Sequence, residues 1–425
     1  MSELSRVQRS PQAHAAGPPP PHIMPLPRIS LQAFCETPEF LSSVQAAAAD
    51  RRMSKVHVKA QMGGAPAAVE AYAEASTPNV IVIESLGGRE ALLDNLDRLA
   101  GVCDPDTKVV VVGHVNDVLL YRELTRRGVS EYLIAPVEHL PFIQSISELY
   151  HGEKAEPLGR VVAVYGAKGG CGASTLAHNL GWTLSRHLEL ATVIVDLDLH
   201  YGTAGLNFDH DPLQGVVDAV VAPDRLDPTL MERIMSTLAD NLSLLAAPAM
   251  LDIPIELESA NFDHLIDMLR SSVPYVILDL PHNWSAPVRR CLTAADEILL
   301  VAEPDLANLR NAKSLYEWLK AARPNDAPPR LVVNKTGLPK RPEIAPTDFA
   351  AKVGAEATVI PFDAQLFGSA ANNGRMISEI QGSGKHAEIC LALARALTGR
   401  TELRKSKFNL PFQLPFLRRT ASRKM

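Results

Sequence analysis

Short runs of β-branched and aliphatic residues alternate along this chain with longer segments of helical spacing. Between residues 55 and 137 the apolar runs are KVHVKAQMGG, PNVIVIES, TKVVVVGH and EYLIAPV, and GGREALLDNLDRLAGV and VNDVLLYRELTRRGV lie among them with helical spacing. Continuous apolar runs of this length are the pattern of strands buried on both faces. Their alternation with helices predicts parallel strands joined by helical crossovers. A second, larger series begins at residue 160, with strands expected at RVVAVYG, ATVIVDLD, LSLLAA, YVILDL, EILLVAE, RLVVNK and ATVIPF. The pattern divides the chain into a proline-rich leader (1–30), a small α/β domain (31–150), a polar linker (151–159), a larger doubly wound α/β domain (160–400) and a basic tail (401–425).

Composition narrows the function classes. The 425 residues are 46% hydrophobic and 21% charged with a net charge of −6, so no general attraction to nucleic acid or anionic lipid is expected. No apolar stretch approaches the roughly 20 residues needed to span a bilayer, and the N-terminal segment is polar and proline-rich rather than a secretory signal. The five cysteines lie far apart without a C-x-x-C, which argues against a disulfide framework or a cysteine metal site and fits a reducing, cytoplasmic setting.

The chemistry concentrates at the expected carboxyl ends of the larger domain's strands, where sheets of this kind bind ligands. YGAKGGCGAST (165–175) joins a strand to a helix. Its glycines (Gly166, Gly169, Gly170, Gly172) let successive amides turn inward as an anion nest, and the helix start adds its positive end. Ser174 or Thr175 supplies a hydroxyl for Mg²⁺, but Ala173 stands where the phosphate-binding loop carries its lysine. Losing that charge-assisted contact weakens binding by about 1.5–3 kcal/mol. The expected ligand is therefore ATP with Mg²⁺, contacted through Gly169, Gly170, Cys171, Gly172, Ala173, Ser174 and Thr175. Asp196 and Asp198, two apart on an extended segment, are expected to face the phosphates together. Asp279 ends the YVILD run, and Asn334, with a donor and an acceptor on one amide, suits the edge of a base. His178, His200, His210, His282 and His386 show no ligand-like spacing and are expected to be surface or core residues.

KGGCGAST resembles the deviant Walker A motif of the MinD/ParA ATPases, K-G-G-x-G-K-[ST]-T. The resemblance implies a nucleotide-sandwich homodimer in which Lys168 reaches the partner's nucleotide and Asp198 orients the attacking water. It further implies that Ser174, Asp196 and Asp279 serve Mg²⁺, and that Asn334, Pro361 and Phe362 surround the base. For Phe362, core packing is an equal alternative.

The first domain resembles the receiver of two-component signalling, but with Glu84 at the phosphorylated position and Ala135 where the lysine belongs, and with no acidic pair after KVHVKAQMGG. It reads as a pseudo-receiver for docking or self-association. GAKGGCGAST, DLDLHYGTAGLNF and the two-domain order resemble the CpaE/TadZ-type proteins of Flp (tight-adherence) pilus assembly. That resemblance implies a slowly hydrolysing dimeric switch that localises pilus machinery, with pilus assembly, secretion and polar proteins as partners. The basic, phenylalanine-bearing tail (401–425) is a candidate for peripheral contact with the inner membrane, although Pro411 and Pro415 break any helix there. A ParA-like partitioning ATPase and a nucleotide-free scaffold stand as alternatives. Nucleic acid is not an expected partner, since the ATPase segment carries no basic cluster.

Overall fold

The computed structural model describes residues 23–151, 158–210, 212–221, 223–247 and 259–400. The tail at 401–425, most of the leader and the middle of the linker lie outside the described residues.

The first domain is built on a parallel five-stranded sheet: β1 (Ile29–Cys35), β2 (Val56–Met62), β3 (Val80–Ser85), β4 (Lys108–Gly113) and β5 (Glu131–Ile134). The spatial order is β2-β1-β3-β4-β5, the order of flavodoxin-like and receiver-like sheets. The hydrophobic pattern places this domain's start at residue 31 and its first strand at KVHVKAQMGG. The structure instead starts with β1 and makes that segment the edge strand β2, half-exposed along its length. Ile23 and Leu26, inside the expected leader, are buried at 5% and 1% exposure in the same core as β1. The prolines at 25 and 27 obscure this start in the sequence, yet they end just before the strand and remove no ladder hydrogen bond.

The larger domain has eight strands: β6 (Arg160–Gly166), β7 (Thr192–Asp196), β8 (Ser236–Ala239), β9 (Leu242–Leu245), β10 (Tyr275–Asp279), β11 (Glu297–Ala302), β12 (Arg330–Thr336) and β13 (Ala357–Pro361). Their order is β13-β12-β11-β6-β10-β7-β9-β8. Every strand expected after residue 160 is present. The unanticipated one is β8, a short polar strand that pairs antiparallel with β9 at the edge. One face of the sheet packs the helix Ala173–Leu188 together with Lys385–Thr398, and the other packs Ser259–Ser272, Ala286–Ala294 and Leu306–Ala322. Because both faces are covered, β7, β10 and β11 are buried at every position, which is why they read as unbroken apolar runs.

The two domains meet through a buried ionic cluster. Arg51 Nε donates to Asp326 Oδ2 at 2.7 Å and Arg51 Nη2 to Asp296 Oδ1 at 3.2 Å, while Arg52 Nη2 donates to Asp326 Oδ1 at 2.6 Å. Asp50 pairs with Arg52 and accepts from Asn325 Nδ2 at 2.8 Å. Asp296 immediately precedes β11, and Asp326 precedes β12. The first domain therefore docks at the amino ends of the large sheet's strands, and the carboxyl ends lie at the opposite edge.

Candidate functional site

At the carboxyl end of β6 the chain turns through residues 167–172 into the helix Ala173–Leu188. Lys168, Gly169 and Gly170 are exposed, whereas Cys171 is 2% exposed, so the loop arches outward and returns to the core. Gly170 (φ +82°) and Gly172 (φ +92°) are left-handed, and a Cβ on Gly172 would lie 2.4 Å from Asn334 Nδ2. The helix opening at Ala173 presents first-turn amides that have no intrahelical acceptor, beside the partly exposed Ser174 and Thr175. Cys171 Sγ donates to Val301 O at 3.3 Å, and burial pushes this thiol up, so it serves as packing rather than as a nucleophile.

Side chains from three neighbouring segments bind the loop through its carbonyl oxygens. His282 Nδ1 lies 3.0 Å from Gly166 O, Asn311 Nδ2 donates to Ala167 O at 2.9 Å and Asn334 Nδ2 donates to Cys171 O at 2.9 Å. Lys335 Nζ donates to Gly170 O. Asn334 is 6% exposed, and its Oδ1 accepts from Lys335 N at 2.8 Å. The amide expected at a base edge is thus engaged with the loop instead. Pro361 O accepts from His386 Nε2 at 2.9 Å, and Phe362 is half-exposed and belongs to none of the core clusters of this domain among the described residues.

The carboxylates part company. Asp196 is fully buried, with Oδ1 accepting from Asp198 N at 3.1 Å and Oδ2 from Ala204 N at 3.0 Å. Asp198, two residues past the end of a strand that stops at Asp196, is partly exposed and accepts from Tyr201 N at 3.2 Å. Leu197 N still donates to Asp279 O at 3.0 Å beyond the strand, and the turn at 199–201 closes with Gly202 N donating to Asp198 O at 2.7 Å. Asp279 ends β10 level with Asp196 across the ladder.

His178, one turn into the loop helix, joins the two carboxylates; the ligand atoms of His178, Asp196 and Asp279 lie within 4.8 Å of one another. His178 is thus a core residue, one of the two places expected for it, but its position beside both carboxylates was not anticipated. Nothing local in the sequence signals it, because the three residues come from three elements. His178 Nδ1 lies 2.9 Å from Asn207 Nδ2, which places the ring proton on Nε2, 3.2 Å from Asp279 Oδ2. That contact is off the line of a hydrogen bond and leaves His178 Nε2 buried without a partner among the described residues; the other carboxylate oxygen, Asp279 Oδ1, is likewise buried without one. Burial, the Asp279 charge beside it and the opposing pull of His178 together push the Asp196 carboxyl up to about 7. A buried carboxylate oxygen with no partner next to a hydroxyl-bearing helix start fits a divalent cation.

Further along the strand ends, Glu303 accepts from Lys335 Nζ at 2.9 Å and Arg341 Nη1 at 2.6 Å, and despite its partial burial these cations hold its carboxyl low. Asp305 is likewise held low against its burial, by the Asn308 amide and side chain with the Lys168 charge adding to them.

In the first domain Glu84 is fully buried at the end of β3. It accepts from Glu36 N and Thr37 N, both at 2.8 Å, and from Thr37 Oγ1 at 2.6 Å, and lies 3.1 Å from His114 Nε2. Because β1 precedes KVHVKAQMGG, the segment following the true first strand is Glu36-Thr37, one acid rather than none. Thr37 caps the next helix, so Glu84 acts as the anchor of a turn. No helix among the described residues is long and apolar enough to cross a membrane.

Residues 159–328 match a family model described as an AAA domain. The septum site-determining protein MinD of Bacillus subtilis is 24% identical over 179 residues, which is 42% of this chain and 65% of that protein, so the chain spans just under two thirds of this relative's length. The MinD of Pyrococcus horikoshii OT3 complexed with Mg-ADP is 21% identical with a TM-score of 0.50, covering 56% of this chain and 96% of that one, and it shares the fold. The pilus assembly protein CpaE from Caulobacter crescentus CB15 is 50% identical, covering 30% of this chain and 96% of that one with a TM-score of 0.29. Identity over nearly the whole of that chain, rather than the superposition, carries the assignment: the protein belongs to the CpaE-type pilus assembly proteins, with a MinD/ParA-like ATPase fold in its larger domain.

Proposed function

We propose that this chain is a nucleotide-dependent assembly factor for a Flp-type pilus, in which MgATP bound at the 166–175 loop holds two copies together. The observation that carries the reading is the convergence at one strand edge of an anion nest, a helix start and the partnerless buried oxygen of Asp279. In this reading the loop amides of 169–175 receive the phosphates, and Lys168, exposed at the rim, reaches the nucleotide of the second copy. Ser174 and Asp279 would hold Mg²⁺, with Asp196 behind them; when bound, the ion neutralises charge on the phosphate oxygens. Asp198 orients water, and without a lysine at 173 hydrolysis is slow. Pro361 and Phe362 border the base, and Asn334 holds the loop beneath it.

The docking at the opposite strand edge leaves the loop rim free for a second copy and supports a dimer that carries its receiver-like domains outward. These domains, lacking the receiver's lysine, serve as docking modules for pilus and polar proteins. The nucleotide-free scaffold is the second reading, favoured by Ala173. Sedimentation with and without MgATP separates the two. A mass increase that is lost in Asp279→Ala and Lys168→Ala supports the switch, and a single species under all conditions refutes it.

A further inference from the structure

We infer that Lys335 is a positioning residue that straps the phosphate loop from outside, performing the loop-holding part of the work of the lysine that Ala173 replaces. The inference rests on the nucleotide-binding reading above. A glycine-rich, exposed arch has no intrinsic reason to keep its amides inward, since each freed residue regains backbone entropy. Here the Gly170 and Cys171 carbonyls are bound by Lys335 Nζ and Asn334 Nδ2. In a trans peptide the carbonyl and the following N–H point in opposite directions. Drawing the Cys171 carbonyl toward β12 therefore turns the Gly172 amide toward the nest.

Lys335 is itself held with care. Its backbone is left-handed at φ +55°, an uncommon conformation for a residue with a Cβ, and persists where surroundings over-determine it. Arg341 Nη2 donates to Lys335 O at 2.8 Å, and Glu303 bridges Lys335 Nζ and Arg341 Nη1. Glu343 completes the anchor, pairing with Arg341 at 3.2 Å and accepting from Gly337 N at 2.8 Å. An ammonium carries three donors, and Glu303 and Gly170 use two of them. The strap thus also sets an ammonium, its charge offset by Glu303, at the rim of a loop that lacks its own lysine. Gly172 is required by the same arrangement, because any side chain there would displace Asn334.

The test compares the full-length wild type with Lys335→Ala, Lys335→Arg and the double variant Lys335→Ala/Ala173→Lys. Hydrogen exchange of loop amides is measured without nucleotide, and MgATP affinity by calorimetry. Lys335→Ala is expected to exchange at loop amides about ten-fold faster and to bind MgATP about ten-fold more weakly, the loss of one charge-assisted hydrogen bond. Lys335→Arg should retain most of both properties, and Ala173→Lys should restore affinity in the double variant. Wild-type exchange and affinity in Lys335→Ala would overturn the strap, as would failure of Ala173→Lys to rescue. If the wild type itself binds no MgATP, the functional reading fails, while the exchange measurement still decides the strap. Should Lys335→Ala not fold, exchange in Lys335→Gln, which removes the charge and keeps most of the stem, decides it in the same way.

Discussion

Asp326→Ala tests whether the two domains form one mechanical unit. In the structure a single carboxylate, 6% exposed at its side chain, receives Arg51 at 2.7 Å and Arg52 at 2.6 Å and lies 3.5 Å from Arg323. Asp50 and Asp296 are the remaining anions of the cluster, and Arg270 is a further cation paired with Asp296 at 3.0 Å. Asp326 and Asp296 hold the Arg51 guanidinium charged against its burial, whereas burial pushes Arg323 down. Removing Asp326 leaves three guanidinium groups facing one another with too few counter-charges. Breaking one partner of a buried pair costs about 3–5 kcal/mol, a large part of the roughly 5–15 kcal/mol by which a domain is stable. By differential scanning calorimetry the wild type should melt in one coupled transition. Asp326→Ala should separate it into two, the first lowered by on the order of 10 °C. A double-mutant cycle with Arg51→Ala should show coupling above about 1 kcal/mol, since the residues touch. An unchanged thermogram, or additive single effects, would refute the idea that this cluster carries the interface.

Two further predictions follow from buried carboxylates. Because the folded-state pKa of Asp196 is raised to about 7 from an ordinary value near 4, the folded protein binds more protons than the unfolded chain between those values. This group's contribution to stability is therefore fully present below about pH 4 and lost as pH rises through 7; in EDTA, urea midpoints should fall over that window in the wild type and fall less in Asp196→Asn. Glu84→Ala leaves three donors of the 36–37 turn without their acceptor and should destabilise the protein by about 3 kcal/mol in urea titration, with MgATP affinity unchanged. An affinity change in that variant would show that the receiver-like domain communicates with the loop.

Much of the architecture was legible because its signals are local. RVVAV, TVIV and ILLVA are apolar at every position because both faces of their sheet are covered, and such runs state their own role. The loop was legible for the same reason: left-handed positions at 170 and 172 demand glycine wherever the rest of the chain lies. Where the reading failed, a distant partner decided. ISLQAFC alternates weakly and follows prolines, and it became the strand β1 because β2 and β3 pair along both its edges.

The amino-acid sequence by itself determined two parallel α/β sheets, a glycine loop at a helix start and carboxylates at the ends of strands, since periodicity and backbone freedom act over a few residues. Tertiary structure alone decided which side chains complete those features. Lys335 lies 165 positions from the loop carbonyl it binds, and Arg51 lies 275 from Asp326. Polar contacts across such separations depend on where the sheets bring their strand ends, and no local pattern encodes that.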